Sequence, residues 1–162
     1  MSDPAPAVDD RHPAQVVTTM VDHVLDLAET WPRWDGNPIE VPVEGEAPRT
    51  YTPHKAVRRV ADHLLDHLAE LEARVAGLPT ESDEWHGSMV TTPADLALFT
   101  REDLDEARSR LRRLAQMWDV RLRALSDEQL DVATGDAWTL RQVVFHAAES
   151  AFYVDSVGDL SR

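Results

Sequence analysis

The sequence predicts an all-α fold, a four-helix bundle, on three observations. Apolar residues recur with a period near 3.6 in four long segments. Stretches rich in proline and glycine separate the first three of these segments. Helix-capping residues stand where the segments begin. Each helix follows from its own residues. From Ala14 to Trp31 the stripe is Val17, Met20, Val21, Val24, Ala28 and Trp31, and Pro32 is expected to end it. Residues 32–53 carry five prolines and two glycines. No long helix survives that density, but Ile39 to Val43 suits an extended segment or hairpin arm across one end of the bundle.

Thr52-Pro53 opens the second helix, with threonine as N-cap and proline at the first helical position. Its stripe is Val57, Val60, Ala61, Leu64, Leu68, Leu71 and Val75, and Gly77 and Pro79 stop it. Residues 78–101 form a second connection with apolar anchors expected at Trp85, Met89, Leu96, Leu98 and Phe99. Thr100 with Asp103 caps the third helix, whose stripe is Leu104, Ala107, Leu111, Leu114, Trp118, Leu122 and Leu125. Ser126 caps one short further turn. The last helix is predicted from Thr139 to Leu160, with Leu140, Val143, Val144, Ala147, Ala151 and Val154 inward. The rods are expected to pack as an antiparallel bundle in which one or both of the long middle connections cross over.

Composition bounds the function. The 162 residues fit a flexible tail over 1–13 and a single bundle domain over 14–162. Cysteine is absent, which excludes disulfides, thiolate metal sites and cysteine nucleophiles. No run of about 18 apolar residues is present, so no membrane partner is expected, and a cytoplasmic location follows by default. The net charge of −14 argues against nucleic acid. Arg108, Arg110, Arg112, Arg113, Arg121 and Arg123 form the densest basic stretch. They follow Glu102, Asp103, Asp105 and Glu106 on one helix and read as a solvated face with intrahelical ion pairs.

The second and last helices echo each other. Val57-Arg58-Arg59-Val60-Ala61-Asp62-His63-Leu64-Leu65-Asp66 aligns with Leu140-Arg141-Gln142-Val143-Val144-Phe145-His146-Ala147-Ala148-Glu149. Arginine, valine, histidine and an acid recur in register, so a pseudo-symmetric pair of helices would bring His63 towards His146. Asp66 and Glu149 are then candidate general bases beside the two imidazoles. His23 falls where it can face a neighbouring helix. His12, His54 and His86 fit no pattern. Trp138 is expected to plug one end of the bundle, and the Tyr153 hydroxyl to lie where it can orient a ligand.

The run from Trp138 to Glu149 resembles the W-T-x-R-x-V-x-x-H-x-x-E signature of DinB/YfiT-like proteins. The second helix, with Asp62-His63-Leu64 and His67-Leu68-Ala69-Glu70, is similar to that family's H-L helix. The resemblance covers about residues 14–160. It implies a four-helix bundle, often a homodimer, in which three histidines hold a divalent metal, one from the second helix and two from the last. Some relatives use that metal to activate a low-molecular-weight thiol in transferase or isomerase chemistry. Carried over residue by residue, His63 takes the second-helix position, with His67 one turn later as its competitor. The expected pair on the last helix falls on Ser150 and Val154, which cannot replace imidazoles. His146 lies one turn earlier and Glu149 can add an oxygen.

The resemblance therefore implies metal ligands among His63, His146 and His67, with Glu149 and Asp66 as catalytic carboxylates and zinc or nickel as the metal. The function implied is a metal-assisted enzyme acting on a small thiol or electrophile. The alternative is a non-catalytic dimeric bundle that binds a small-molecule ligand.

Overall fold

A computed structural model describes residues 4–81, 87–133, 135 and 137–162. Six α-helices and one two-stranded sheet make up its regular structure: α1 (Pro13–Ala28), β1 (Ile39–Val41), β2 (Arg49–Tyr51), α2 (Pro53–Val75), α3 (Arg101–Arg123), α4 (Asp127–Asp131), α5 (Leu140–Ala148) and α6 (Ala151–Asp155). The protein is mainly helical, as its periodicity predicts. Among the described residues no helix is long and apolar enough to cross a membrane.

Four rods enclose one apolar core: α1, α2, α3 and the α5–α6 pair. Every stripe residue predicted for α1 is buried, and so are those of α2 up to Leu71. Trp31 and Trp118 are the largest fully buried side chains, and each indole N–H is satisfied. Trp31 donates to the Gly158 carbonyl at 2.9 Å and Trp118 to the Leu64 carbonyl at 3.1 Å.

The second middle connection crosses over the bundle, as expected of one or both of them, so the rods are not all antiparallel to their neighbours. Glu29, at the end of α1, pairs with Arg101 and Arg108 at the start of α3, so these two run antiparallel. Arg74 near the end of α2 reaches the Trp138 carbonyl ahead of α5, and Arg59 near its start lies under Tyr153 of α6. That pair is also antiparallel. His54 lies beside Asp103 and Glu72 pairs with Arg121, so α2 and α3 run parallel. His23 meets Asp155 and Trp31 meets Gly158, so α1 and α5–α6 run parallel. The physical reason is connection length. α2 spans about 34 Å at 1.5 Å per residue, and the long connection after it carries the chain back to the level where α2 began.

The other two connections stay at the bundle ends. β1 and β2 pair antiparallel, Ile39 opposite Tyr51 and Val41 opposite Arg49, so the extended segment is a hairpin arm. Tyr51 from its second strand is fully buried and stacks edge-on with Phe152. At the opposite end, α4 is tied to α5 through Arg141, which holds both Asp127 and Asp131.

Three predicted details are corrected. α1 stops at Ala28, and Pro32 sits inside a following 3-10 turn, Trp31–Arg33, where its missing N–H is not needed. The last helix breaks at Glu149–Ser150, because the Ser150 hydroxyl donates to the Ala147 carbonyl at 2.7 Å and tightens that turn. The second connection is not anchored by Met89, Leu96 and Leu98, which are all about half exposed or more. It is pinned by Phe99, packed edge-on against Trp31, and by Asp95, held by Arg58 at 2.7 Å. Trp85 and His86 lie outside the described residues. In the basic stretch of α3, Arg108, Arg110 and Arg123 make the expected intrahelical pairs with Asp105, Glu106 and Asp119, whereas Arg121 reaches across to Glu72 of α2.

Candidate metal centre

α2 and α5 pack side by side, and His63 from the middle of α2 meets His146 from the last turn of α5. His63 and His146 approach to 5.0 Å between ring centroids. His67, one turn along α2, lies 4.6 Å from His63 and 5.0 Å from His146. One nitrogen from each of the three falls within 4.8 Å of the others, close enough to hold a metal ion. Histidines at i and i+4 share one helix face, which is why α2 supplies two of the three. His67, expected as a competitor of His63, is instead its companion.

The outer two rings are fixed by carboxylates. His67 Nδ1 lies 2.9 Å from a Glu70 oxygen, and His146 Nδ1 lies 2.9 Å from a Glu149 oxygen. A carboxylate only accepts, so Nδ1 carries the proton in each neutral ring and Nε2 keeps its lone pair for a ligand. Glu70 also accepts from Arg74 at 3.3 Å, and Arg74 donates to the Trp138 carbonyl at 2.6 Å. The Trp138 ring stacks edge-on against His146 with centroids 4.9 Å apart. One hydrogen-bonded chain thus runs from His67 through Glu70 and Arg74 to the residue that buttresses His146. Trp138, expected to plug one end of the bundle, is instead half-buried and packs on His146.

Burial sets the electrostatics. His63 is pushed down to about 3, first by burial and then by the neighbouring His67, His146 and Arg59. Its imidazole is therefore neutral across the physiological range, the form that ligates metals. Glu70 is held below the ordinary carboxylate range by its hydrogen bond to His67, against the opposing effect of burial.

The cluster opens onto a cleft of about 410 Å³ lined by His63, Asp66, His67, Glu70, Pro79 and His146 among others. Asp66 stands on the cleft wall, one turn beyond His63 on α2. Glu149 is bound to His146 and largely solvent-facing. Ser150 and Val154, where the family pattern places histidines, point elsewhere. Ser150 is buried on the Ala147 carbonyl and Val154 is fully buried in the core. Tyr153 lies nearer His63, at 6.3 Å between centroids, and its hydroxyl accepts from Ser88 at 3.3 Å.

Of the residues read from the sequence, the structure brings His63, His67 and His146 together, sets Asp66 on the cleft wall and puts Glu149 behind His146. Sequence reasoning missed Glu70 and Arg74. The signal was present: Glu70 stands three residues after His67 as Glu149 stands three after His146, so the aligned histidine–acid pairs extend to a second pair on α2. His23 and His12 are structural. His23 links α1 to α6 through Asp155 at 2.7 Å, and His12 caps α1 by accepting from the Ala14 N–H.

Comparison with protein-family models, with curated proteins and with solved structures gives no match to this chain.

Proposed function

We propose that this chain is a DinB-like four-helix bundle that holds a divalent metal, zinc or nickel, on His63, His67 and His146. The reading rests above all on the convergence of three neutral-capable imidazoles, two of them oriented by carboxylates through Nδ1. Three nitrogen donors and a free position are the pattern of a catalytic rather than a closed structural site. Zinc–nitrogen distances of about 2.0–2.1 Å put ligand atoms roughly 3.4 Å apart, so side-chain rotations of modest size close the cluster.

The ion so held would polarise a small thiol or electrophile presented from the cleft. The chain's own groups do the rest. Glu70 and Glu149 keep the two outer rings aimed, and Arg74 braces Glu70 against the Trp138 main chain. Asp66 is the carboxylate positioned on the cleft wall to accept a proton from an incoming nucleophile. The site differs from the family pattern in taking two histidines from the second helix and one from the last.

Elemental analysis of purified protein tests this. About one equivalent of zinc or nickel per chain is expected, and each of His63→Ala, His67→Ala and His146→Ala should lose it. Protein that carries no metal and resists loading would overturn the proposal. The homodimer rests on the resemblance alone, and light scattering that gives a monomer at micromolar concentration would refute it.

A further inference from the structure

α3 carries two stripes along its length, and the core uses one of them. Leu104, Leu111, Trp118 and Leu122 are buried against the other rods. Met117 and Val120 lie off that stripe and are 56% and 64% exposed. Apolar residues scattered singly over a surface need no explanation, but these two belong to a pattern. Glu106, Arg110, Arg113, Met117, Val120 and Ala124 recur at alternating steps of four and three residues, the spacing by which one helix seats along another. All six line two adjoining hollows on α3 that share Arg113 and Met117. The larger, of about 740 Å³, is a groove that reaches across to Leu68 and Glu72 of α2.

Charge decides what this seam accepts. A chain of net charge −14 repels its own copies over most of its surface. Along the seam that repulsion is relieved, because Arg110, Arg113 and Arg121 stand there with Glu72 and Glu106. Both members of a complementary pair are present on the one face. Arg113 precedes Met117 on α3, and Glu72 lies beyond it, level with Arg121. A second copy laid antiparallel sets Met117 against Val120 and brings Arg113 of each copy beside Glu72 of the other. A parallel copy would instead stack Arg110 on Arg110 and Arg113 on Arg113. The seam from Glu106 to Ala124 is about 27 Å long at 1.5 Å per residue. Two rods each about 10 Å wide then bury roughly 1,100 Å² over both copies, above the roughly 1,000 Å² that a specific interface needs.

We propose that the α2–α3 face is an interface between two copies of this chain, with their α3 seams packed antiparallel about Met117 and Val120. The proposal takes up the homodimer reading and gives it a surface and an orientation. It stands without the metal, since none of the seam residues is a metal ligand in the reading above.

Sedimentation velocity on the full chain tests this. The parent should be a dimer at micromolar concentration. Met117→Asp and Val120→Asp should each weaken the dimer by about tenfold or more, with the parent's far-UV circular dichroism and metal content retained. Either variant serves if the other fails to fold. Arg113→Glu should weaken the dimer several-fold. Arg112→Glu, an exposed change of equal charge off the seam, should leave it intact. The chain has no cysteine, so Ala124→Cys reports orientation. Antiparallel packing holds the two thiols about 16 Å apart along the seam, too far for a disulfide. A monomeric parent would overturn both this interface and the homodimer reading. A dimer that persists in Met117→Asp and Val120→Asp would overturn this interface alone. Equal damage from Arg112→Glu and Arg113→Glu, or a disulfide-linked Ala124→Cys dimer, would overturn the antiparallel seam.

Discussion

His63 carries the strongest electrostatic signature of any residue at the site, and its cause is where α2 places it. A histidine in water protonates near 6.5, whereas burial against two other imidazoles and Arg59 holds His63 at about 3. The unfolded chain therefore binds one more proton than the folded chain between those two values. Stability from this residue is full above about 6.5 and falls as pH drops towards 3. In metal-free protein the His63 ring resonances should stay unshifted from pH 8 down to pH 5. A midpoint near 6.5 in the NMR titration would show that the ring is solvated.

The carboxylates behind the other two rings give a second residue-scale prediction. Partners that orient a ligating histidine are worth roughly 10- to 100-fold in metal affinity. Glu70→Gln should cost more than Glu149→Gln, because Glu70 is half-buried and braced by Arg74 while Glu149 is mostly exposed. Competition against a chelator reads this directly, and equal affinity in both variants and the parent would make the carboxylates incidental. The three histidines were legible in the sequence because their placement coincides with spacing: i and i+4 on one helix, and the aligned His–x–x–acid pairs. The brace from Arg74 to the Trp138 carbonyl was not legible, because it joins residues 64 apart.

At the scale of elements, legibility followed chemistry that acts within a few residues. The caps Thr52, Thr100 and Ser126 were readable, since each side chain accepts from a backbone N–H three residues on, whereas Thr139, read as the start of the last helix, caps α5 in the same way. The break between α5 and α6 was not, because a serine inside an apolar-periodic run keeps the period while its hydroxyl rewires one turn. The Arg58–Asp95 tie was equally hidden, as it joins residues 37 apart. Asp95 is 2% exposed. Burial alone would raise its carboxyl, but Arg58 and the Thr92 main-chain N–H outweigh that and hold it below the ordinary aspartate value. Its contribution is thus present above about pH 3.8 and lost as pH falls through the lowered folded value. Asp95→Asn should destabilise by about 1–3 kcal/mol, because Arg58 keeps partial access to solvent. Chemical denaturation at pH 7 measures the loss. The variant should also lose part of the parent's destabilisation below pH 4, and an unchanged acid limb would assign that limb to other carboxylates.

Seen whole, the four rods could be read from periodicity, but their directions could not. Apolar stripes specify which face is buried and say nothing about which end of a neighbour lies alongside. Direction is set by the long connection that lets α3 restart beside the start of α2, and this topology decides where the site falls. With α2 and α5 antiparallel, the middle of α2 lies beside the last turn of α5, and the histidines meet there. A metal on His63, His67 and His146 would therefore fasten two rods through histidines at least 79 residues apart in the chain. Ligand that binds only the folded state adds about 2.7 kcal/mol at 100 times Kd. For a domain of this size each kcal/mol moves Tm by roughly 2–4 °C, so saturating zinc or nickel should raise Tm by about 5–11 °C. His146→Ala should abolish the rise, because the remaining pair sits on α2 alone and cannot tie it to α5. Metal that binds the parent stoichiometrically yet leaves its Tm unmoved would mean that the ion does not bridge the two helices.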